Sequence, residues 1–340
     1  MDKKYFYNIL TKLINIDSPT GYTKNVINFM IKEIDNLGYT YSCTSKGNLI
    51  INVCEGTNPI GVCAHVDTLG LMVRSIKNDG KLALTTLGGP LLNTLNGEYC
   101  RIYTRNHKIY TGTIISTSSS SHVYTDAANK EMNIDNLEVR LDLEVKTKED
   151  VLKYGIENGD VVCIDPKFTI TDTDFIKSRF LDDKLSAAIL LTILKEFKEN
   201  SLLCSRKLYF MFTTYEEVGH GNSYIPNDIK ELLGVDMGCI GLDLSATEYD
   251  VSICAKDSSG PYDYDITTNL IQIAKDNNLN YAVDIYPMYS SDVSAALRGG
   301  NDIKGALIGP GVCASHGMER SHYKACEATY ELIKKYLNLK

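Results

Sequence analysis

Apolar residues recur at two different periods along this chain. Spacing of three and four residues predicts amphipathic helices over residues 3–15, 23–37, 185–199, 264–276 and 324–337. Between them, short apolar runs predict buried strands over residues 40–44, 49–53, 61–65, 208–214, 239–242 and 303–308. Helices that alternate with strands are typical of an α/β fold. We expect a mixed sheet sandwiched by helices.

Residues 70–166 follow a different pattern. Short segments such as "KIYTGTII" and "LEVRLDLEV" alternate apolar and polar positions, and Gly- or Asn-rich turns separate them. This pattern predicts an inserted small β-barrel. Thr147 and Asp150 in "TKEDVLKYG" resemble the capping box of a short helical turn. The expected organisation is an α/β domain of residues 1–69 and 167–340, interrupted by a barrel domain of residues 70–166.

Composition narrows the partners and the compartment. The chain has 340 residues and a net charge of -8, with 44% hydrophobic residues. An acidic chain without basic clusters argues against nucleic acid or anionic membranes as partners. No apolar run approaches the ~20 residues of a membrane span. The N-terminus lacks the features of a signal peptide, and the ten cysteines are scattered singly, so we expect reduced thiols in a cytoplasmic protein.

Polar side chains with metal-binding chemistry cluster where apolar segments end. The carboxyl edge of an α/β sheet is where ligand sites are built. Histidine and carboxylate side chains there match the ligands of zinc and similar divalent ions. The set is large enough for two ions, which would need one bridging carboxylate, and Asp182 in "LDDK" is the candidate. The candidates are His65 and Asp67, Asp182 and Asp183, Glu216 and Glu217, Asp243, and His316 and His322.

Each candidate taken alone also has an ordinary structural explanation. His65 and Asp67 could be a polar strand end, and Asp182 with Asp183 could cap a helix. Glu216 and Glu217 could form a solvated turn, Asp243 could pair with a lysine, and His322 could be a structural hydrogen-bonding residue. Five such segments at strand-to-loop junctions of one domain are hard to explain as caps, so together they favour a metal site.

These segments resemble the tetrahedral, or deblocking, aminopeptidases, the dimetal metallopeptidases that include glutamyl aminopeptidase. The resemblance spans nearly the whole chain. The insert also falls between the first histidine and the bridging aspartate, whereas related aminoacylase-type and carboxypeptidase-type enzymes carry their extra domain later. The motifs that carry the resemblance are "SPTGY", "AHVDTLG", "NGDVVCIDPKF", "FLDDKLSAA", "YEEVG", "GLDLSA" and "ASHGMERSH".

The resemblance implies a role for each candidate residue. One ion would be held by His65, Asp182 and Asp243, and the second by Asp182, Glu217 and His316. Glu216 would be the general base, and Asp67 would fix the tautomer of His65. His316 is preferred to His322 because its distance to the last helix fits the family better, and no role is assigned to His220.

The implied activity is hydrolysis of N-terminal residues from peptides with two divalent ions, zinc or alternatively cobalt or manganese. A dimetal carboxypeptidase or an N-acyl amino acid deacylase could use the same residues. The family also implies a homo-oligomer, with dimer contacts through the β insert and a possible dodecamer. Two motifs depart from the family pattern. Gly317 and Met318 stand where Ser or Thr and then Pro usually follow the last histidine ligand, and Thr68 stands where Glu is usual. These departures leave open which N-terminal side chain of the substrate is preferred.

Overall fold

The computed structural model describes residues 1–339, and the chain divides into two compact units. One unit contains Met1–Thr68 and the chain from Lys167 onward, and the other is Leu69–Pro166. The division thus lies one residue before the boundary expected between residues 69 and 70. Among the described residues, no helix combines the length and the apolarity that crossing a membrane requires.

The first unit begins with two amphipathic helices and three strands. The carboxylate of Asp2 accepts a hydrogen bond from the Tyr5 N–H at 3.0 Å and caps the first helix. That helix buries Phe6, Leu10 and Leu13, as its apolar spacing predicts. The elements are α1 (Lys3–Ile14), α2 (Lys24–Asn36), β1 (Tyr41–Cys43), β2 (Leu49–Cys54) and β3 (Thr57–His65).

The second unit is a closed six-stranded barrel, which confirms the predicted barrel. Its strands are β4 (Gly70–Ile76), β5 (Leu82–Leu87), β6 (Tyr99–Tyr103), β7 (Ile109–Ser116), β8 (Leu137–Leu141) and β9 (Val161–Ile164), in the order β4-β5-β8-β7-β6-β9. Alternate apolar side chains fill the interior. A short helix α3 (Lys148–Lys153) precedes β9 and begins with the expected capping box of Thr147 and Asp150.

The chain then returns to the first unit and completes its main sheet. The further elements are β10 (Thr169–Ile170), β11 (Phe175–Ser178), α4 (Leu181–Glu199), β12 (Arg206–Thr213), β13 (Glu231–Val235), β14 (Gly238–Cys239), β15 (Val251–Asp257), β16 (Gly260–Pro261), α5 (Tyr264–Asp276), β17 (Tyr281–Ile285), α6 (Asp292–Arg298), β18 (Lys304–Val312), β19 (Glu319–His322) and α7 (Tyr323–Tyr336). A separate small sheet has the order β10-β11-β19.

The main sheet has ten strands and mixed directions, as the α/β pattern predicts. Its order is β1-β2-β12-β3-β13-β18-β15-β16, with β17 beside β15 and β14 beside β18. The four central strands β12, β3, β13 and β18 run parallel to one another. Their carboxyl ends therefore meet at one edge, where β3 ends in His65 and β12 ends in Thr213. The helix α4, buried along most of its length, packs on this sheet against β3.

One glycine fixes how closely β18 passes the end of β13. The Asp236 N–H donates to the Ile308 carbonyl at 2.9 Å, just after β13 ends. A Cβ on the next residue, Gly309, would lie 1.3 Å from the Asp236 carbonyl oxygen. Only a residue without a Cβ allows two backbones to approach this closely. Gly309 therefore sets the position of the chain at Asp236.

Two expectations about strands in this region were wrong. The strand expected over residues 239–242 is reduced to the two-residue β14, and the strand β13 over Glu231–Val235 was missed. The reason lies in the short runs themselves, since "ELLGV" and "GCIGL" offer similar apolar signals. Tertiary pairing decides between them: β13 is buried between β3 and β18, whereas Leu242 is exposed.

Candidate active site

His65, at the carboxyl end of β3, is the centre of a buried polar cluster. Its side chain is 1% exposed. Its Nε2 lies 3.0 Å from the Asp182 carboxylate and 3.8 Å from the Glu216 carboxylate. Its Nδ1 lies 2.9 Å from the main-chain carbonyl oxygen of Asp67, which favours a proton on Nδ1 and leaves Nε2 as the atom free to bind a ligand.

Asp182 stands at the start of α4, where the backbone is not yet helical. Asp182 and Asp183 have non-helical dihedral angles, and the peptide bond between them is cis. The two oxygens of Asp182 face different histidines: Oδ1 faces His65, and Oδ2 lies 3.6 Å from His316 Nε2. A carboxylate between two imidazoles in this way can bridge two metal ions.

Glu216 and Glu217 lie in a single 3-10 turn directly after β12. The backbone N–H groups of both residues point to the fully buried carboxylate of Asp67, at 3.2 and 3.4 Å. The Thr20 hydroxyl, from the early "SPTGY" turn, donates to the same carboxylate at 2.7 Å. The turn ends at Gly219, whose φ of 80° suits glycine. Asp67 thus holds the two glutamates with its side chain while its carbonyl orients His65.

His316 reaches the cluster from the loop before β19. Its Nε2 lies 3.7 Å from the Glu217 carboxylate, and its side chain is 39% exposed, so this side of the cluster faces solvent. The buried carboxylate of Glu319 accepts hydrogen bonds from the backbone N–H of His316 and from that of Asp182, both at 3.1 Å. Glu319, which the sequence analysis did not single out, therefore ties the two loops together.

The structure corrects one candidate metal ligand. Asp243 is exposed in a turn after β14 and is not part of the cluster. Asp236 takes the expected place, because its carboxylate, Asp182 and His65 offer ligand atoms within 4.8 Å of one another. The physical reason is that β13, not the segment before Asp243, is the buried parallel strand beside β3. The signal for Asp236 was present in "LLGVD", where an apolar run ends directly in a carboxylate.

Two histidines outside the cluster have structural environments. His322 is the N-cap of α7: its Nδ1 accepts from the Lys324 N–H at 3.0 Å, and its Nε2 lies 2.9 Å from the Thr173 carbonyl. His220 stacks on Tyr215, with ring centroids 5.1 Å apart, and its carbonyl accepts from the Lys46 ammonium group. Of the two late histidines, only His316 faces the carboxylates.

Burial shifts the pKa values of the cluster strongly. It raises the pKa of Glu216 and Glu217 well above the usual value, and the charge of Asp182 adds to the effect on Glu217. Burial and the Asp182 charge raise the pKa of Asp236 to about 7. For His65, burial opposes protonation, but hydrogen bonds to Asp182 and Asp67 raise its pKa overall. Burial and mutual repulsion therefore favour protons on these carboxyl groups, and a bound cation would stabilise their charged forms instead.

The cluster fits divalent metal ions. Imidazole nitrogen and carboxylate oxygen are ligands of zinc and of manganese or cobalt. Among the described residues, the buried Glu217 Oε1 has no hydrogen-bond partner, which is costly unless another group binds there. His65, Asp182 and Asp236 form one trio, and Asp182, Glu217 and His316 form another.

Comparison with known proteins gives a consistent picture. A family model described as "M42 glutamyl aminopeptidase" matches residues 47–332. YhfE of Bacillus subtilis (strain 168), named as a presumed aminopeptidase, is 43% identical over 332 residues, which are 97% of this chain and 96% of YhfE.

Solved structures share the fold of the whole chain. The TET1 peptidase of Pyrococcus horikoshii, described as assembling into a tetrahedron or a large octahedral shell, superposes with a TM-score of 0.86 at 23% identity. It covers 98% of this chain and 99% of its own. The structure of PhTET1-12s, a dodecamer, gives a TM-score of 0.83 at 24% identity, with 97% and 98% covered.

The two aspartates make a matched test of the corrected ligand. We expect Asp236→Asn to weaken zinc binding by more than the about 10–100-fold that loss of a supporting partner costs, because a direct ligand is lost. Asp243→Asn should leave zinc affinity within about twofold of wild type, because Asp243 neither binds the ion nor supports a ligand. Isothermal titration calorimetry on chelator-treated protein measures both. Equal losses in the two variants, or unchanged affinity of Asp236→Asn, would contradict the assignment.

Proposed function

Since this chain belongs to the M42 glutamyl aminopeptidase family, and is therefore an aminopeptidase, we propose that it removes N-terminal residues from peptides with two divalent ions per subunit. The observation that carries the proposal is the pair of ligand trios that share Asp182. One ion would be held by His65, Asp182 and Asp236, and the other by Asp182, Glu217 and His316.

Bound ions at these trios would act as Lewis acids and make a water molecule a better nucleophile near neutral pH. The protein's part is to move protons and to hold groups in place. Glu216 lies 3.8 Å from His65, and it is not tied to the second trio as Glu217 is. We assign the role of general base to Glu216. It would accept a proton from the attacking water and pass it to the leaving amine.

Asp67 is assigned a positioning role. Its carbonyl oxygen holds His65 Nδ1, and its carboxylate accepts from the backbone of Glu216 and Glu217. One residue thus orients a metal ligand on β3 and both carboxylates of the neighbouring turn. Such outer partners keep ligands in one orientation before any ion binds.

The native ions are proposed to be zinc, with cobalt and manganese as alternatives. The ligands of the two trios are two imidazole nitrogens and otherwise carboxylate oxygens. The affinities of such sites for zinc, cobalt and manganese overlap. A panel of aminoacyl-anilide substrates, assayed with each metal after chelator treatment, would rank both the metal and the preferred side chain. Highest turnover with magnesium would argue against the zinc proposal.

A homo-oligomer in the cytoplasm is also proposed. Two solved structures of similar fold are described as a dodecamer and as a tetrahedral or octahedral shell. We propose that dimer contacts involve the barrel, residues 70–166. All ten cysteines are free thiols, which suits a reducing compartment.

Light scattering at working concentration should give a mass several times the 37.8 kDa of one chain. A deletion of residues 70–166 would disturb the fold, so charge reversals on the outer face of the barrel are the better perturbation. A monomeric mass for the wild-type protein would refute the oligomer.

Substrates with and without a free α-amine distinguish this activity from its alternatives. We expect kcat/KM to fall by about 10²-fold or more when the substrate N-terminus is acetylated, because a site built for a polar group rejects an analogue that lacks it. Amidation of the C-terminus should leave kcat/KM unchanged. Preference for acetylated substrates would indicate a deacylase, and sensitivity to amidation would indicate a carboxypeptidase.

Glu216→Gln tests the general base. We expect kcat to fall about 10²–10⁴-fold, because glutamine keeps the size of the side chain but cannot accept the proton. Zinc content, measured by atomic absorption, should stay at the wild-type level. Wild-type turnover with full metal content would refute the role, whereas loss of metal would show that Glu216 is a ligand instead.

A further inference from the structure

Tyr289 places a phenol hydroxyl beside the metal-ligand cluster. Its oxygen is buried and has no hydrogen-bond partner among the described residues. It lies close to the Asp236 carboxylate, short of a well-formed hydrogen bond, and the charges of Asp236, Asp182 and Glu216 act on it. Tyr289 lies outside the sequence motifs quoted above.

Tyr289 lies in the segment between β17 and α6, where several contacts fix its position. The carbonyl oxygen of Tyr289 accepts hydrogen bonds from the Ser258 backbone N–H, at 3.0 Å, and from the Ser258 hydroxyl. Its ring packs edge-on against that of Tyr286, with centroids 5.2 Å apart and planes at 70°. The ring also packs against a cluster of buried residues that includes Tyr286 and Val293. These contacts hold the Tyr289 ring, and with it the hydroxyl, in one position.

A buried hydroxyl without a partner is unfavourable, because it has lost its hydrogen bonds to water. The nearby acceptors have other partners: Asp236 Oδ1 accepts from the Met237 N–H at 2.6 Å, and its carboxylate belongs to the first ligand trio. An ordinary phenol is protonated at neutral pH and can donate. The hydroxyl therefore suits an oxygen acceptor that the protein does not itself supply.

We propose that Tyr289 is a catalytic residue whose hydroxyl donates a hydrogen bond to the carbonyl oxygen of the scissile peptide bond. The proposal rests on the aminopeptidase activity proposed above. As water adds to the carbonyl carbon, the carbon–oxygen double bond becomes single and this oxygen gains negative charge. The Tyr289 proton stays on the phenol throughout. The hydrogen bond strengthens with the charge, so it stabilises the transition state more than the bound substrate.

Tyr289→Phe tests the proposal, with Tyr286→Phe as its matched control. The Tyr286 hydroxyl is bonded to the Ser252 hydroxyl in the core, so its removal deletes a buried phenol oxygen without touching the site. We expect Tyr289→Phe to lower kcat about 10²-fold, the cost of one lost oxyanion donor, with KM within about twofold. Tyr286→Phe should retain the wild-type kcat when it is assayed well below its Tm.

Binding experiments separate a transition-state role from a structural one. By calorimetry on zinc-loaded protein, Tyr289→Phe should bind a phosphinate peptide, which mimics the tetrahedral intermediate, about 10²-fold more weakly than wild type. Its affinity for the product amino acid and its zinc content should match those of wild type.

Each outcome decides the proposal. Unchanged kcat and phosphinate affinity in Tyr289→Phe would overturn it, and so would equal weakening of phosphinate and product. A rise in KM alone would assign Tyr289 to substrate binding and also overturn it. Failure of the aminopeptidase proposal is distinguishable, because the wild-type protein would then not cleave free-amine peptides at all.

Discussion

The site depends on negative charge buried at the carboxyl edge of the main sheet. Asp67, Asp182 and Asp236 are each at most 6% exposed, and Glu217 points into the same region. Removing an ion from water costs several kcal/mol even after relaxation, so such a group is stable only with a compensating charge. Two neutral imidazole ligands cannot balance the charge of these carboxylates. The dications proposed above would supply the compensating charge.

Sequence patterns predicted most of the fold because most elements have a strong period. The long amphipathic helices and the inserted barrel were foreseen, with ends shifted by a few residues. Five of the six expected strands were also present, but β13, β15 and β17 were missed, since their brief apolar runs resemble loops or one another. Their identity depends on pairing within the sheet, which is a long-range property.

The error at Asp243 follows from that same limit. Both Asp236 and Asp243 come after short apolar runs, and the resemblance of "GLDLSA" to a family motif favoured the wrong one. Only the parallel pairing of β13 with β3 places Asp236 next to His65. The supporting role of Glu319 could not be predicted from the sequence either, because the carboxylate binds backbone N–H groups, one of them far away in the chain.

Glu319 has a consequence for how readily the second proposed ion would bind. Its carboxylate accepts hydrogen bonds from the backbone N–H groups of Asp182 and His316. These two residues lie 134 positions apart in the chain (316 minus 182). The two proposed ligands are thereby held in place without metal. Little conformational entropy would then be lost on binding, so the affinity of a second ion would reflect coordination chemistry more than the ordering of a loop.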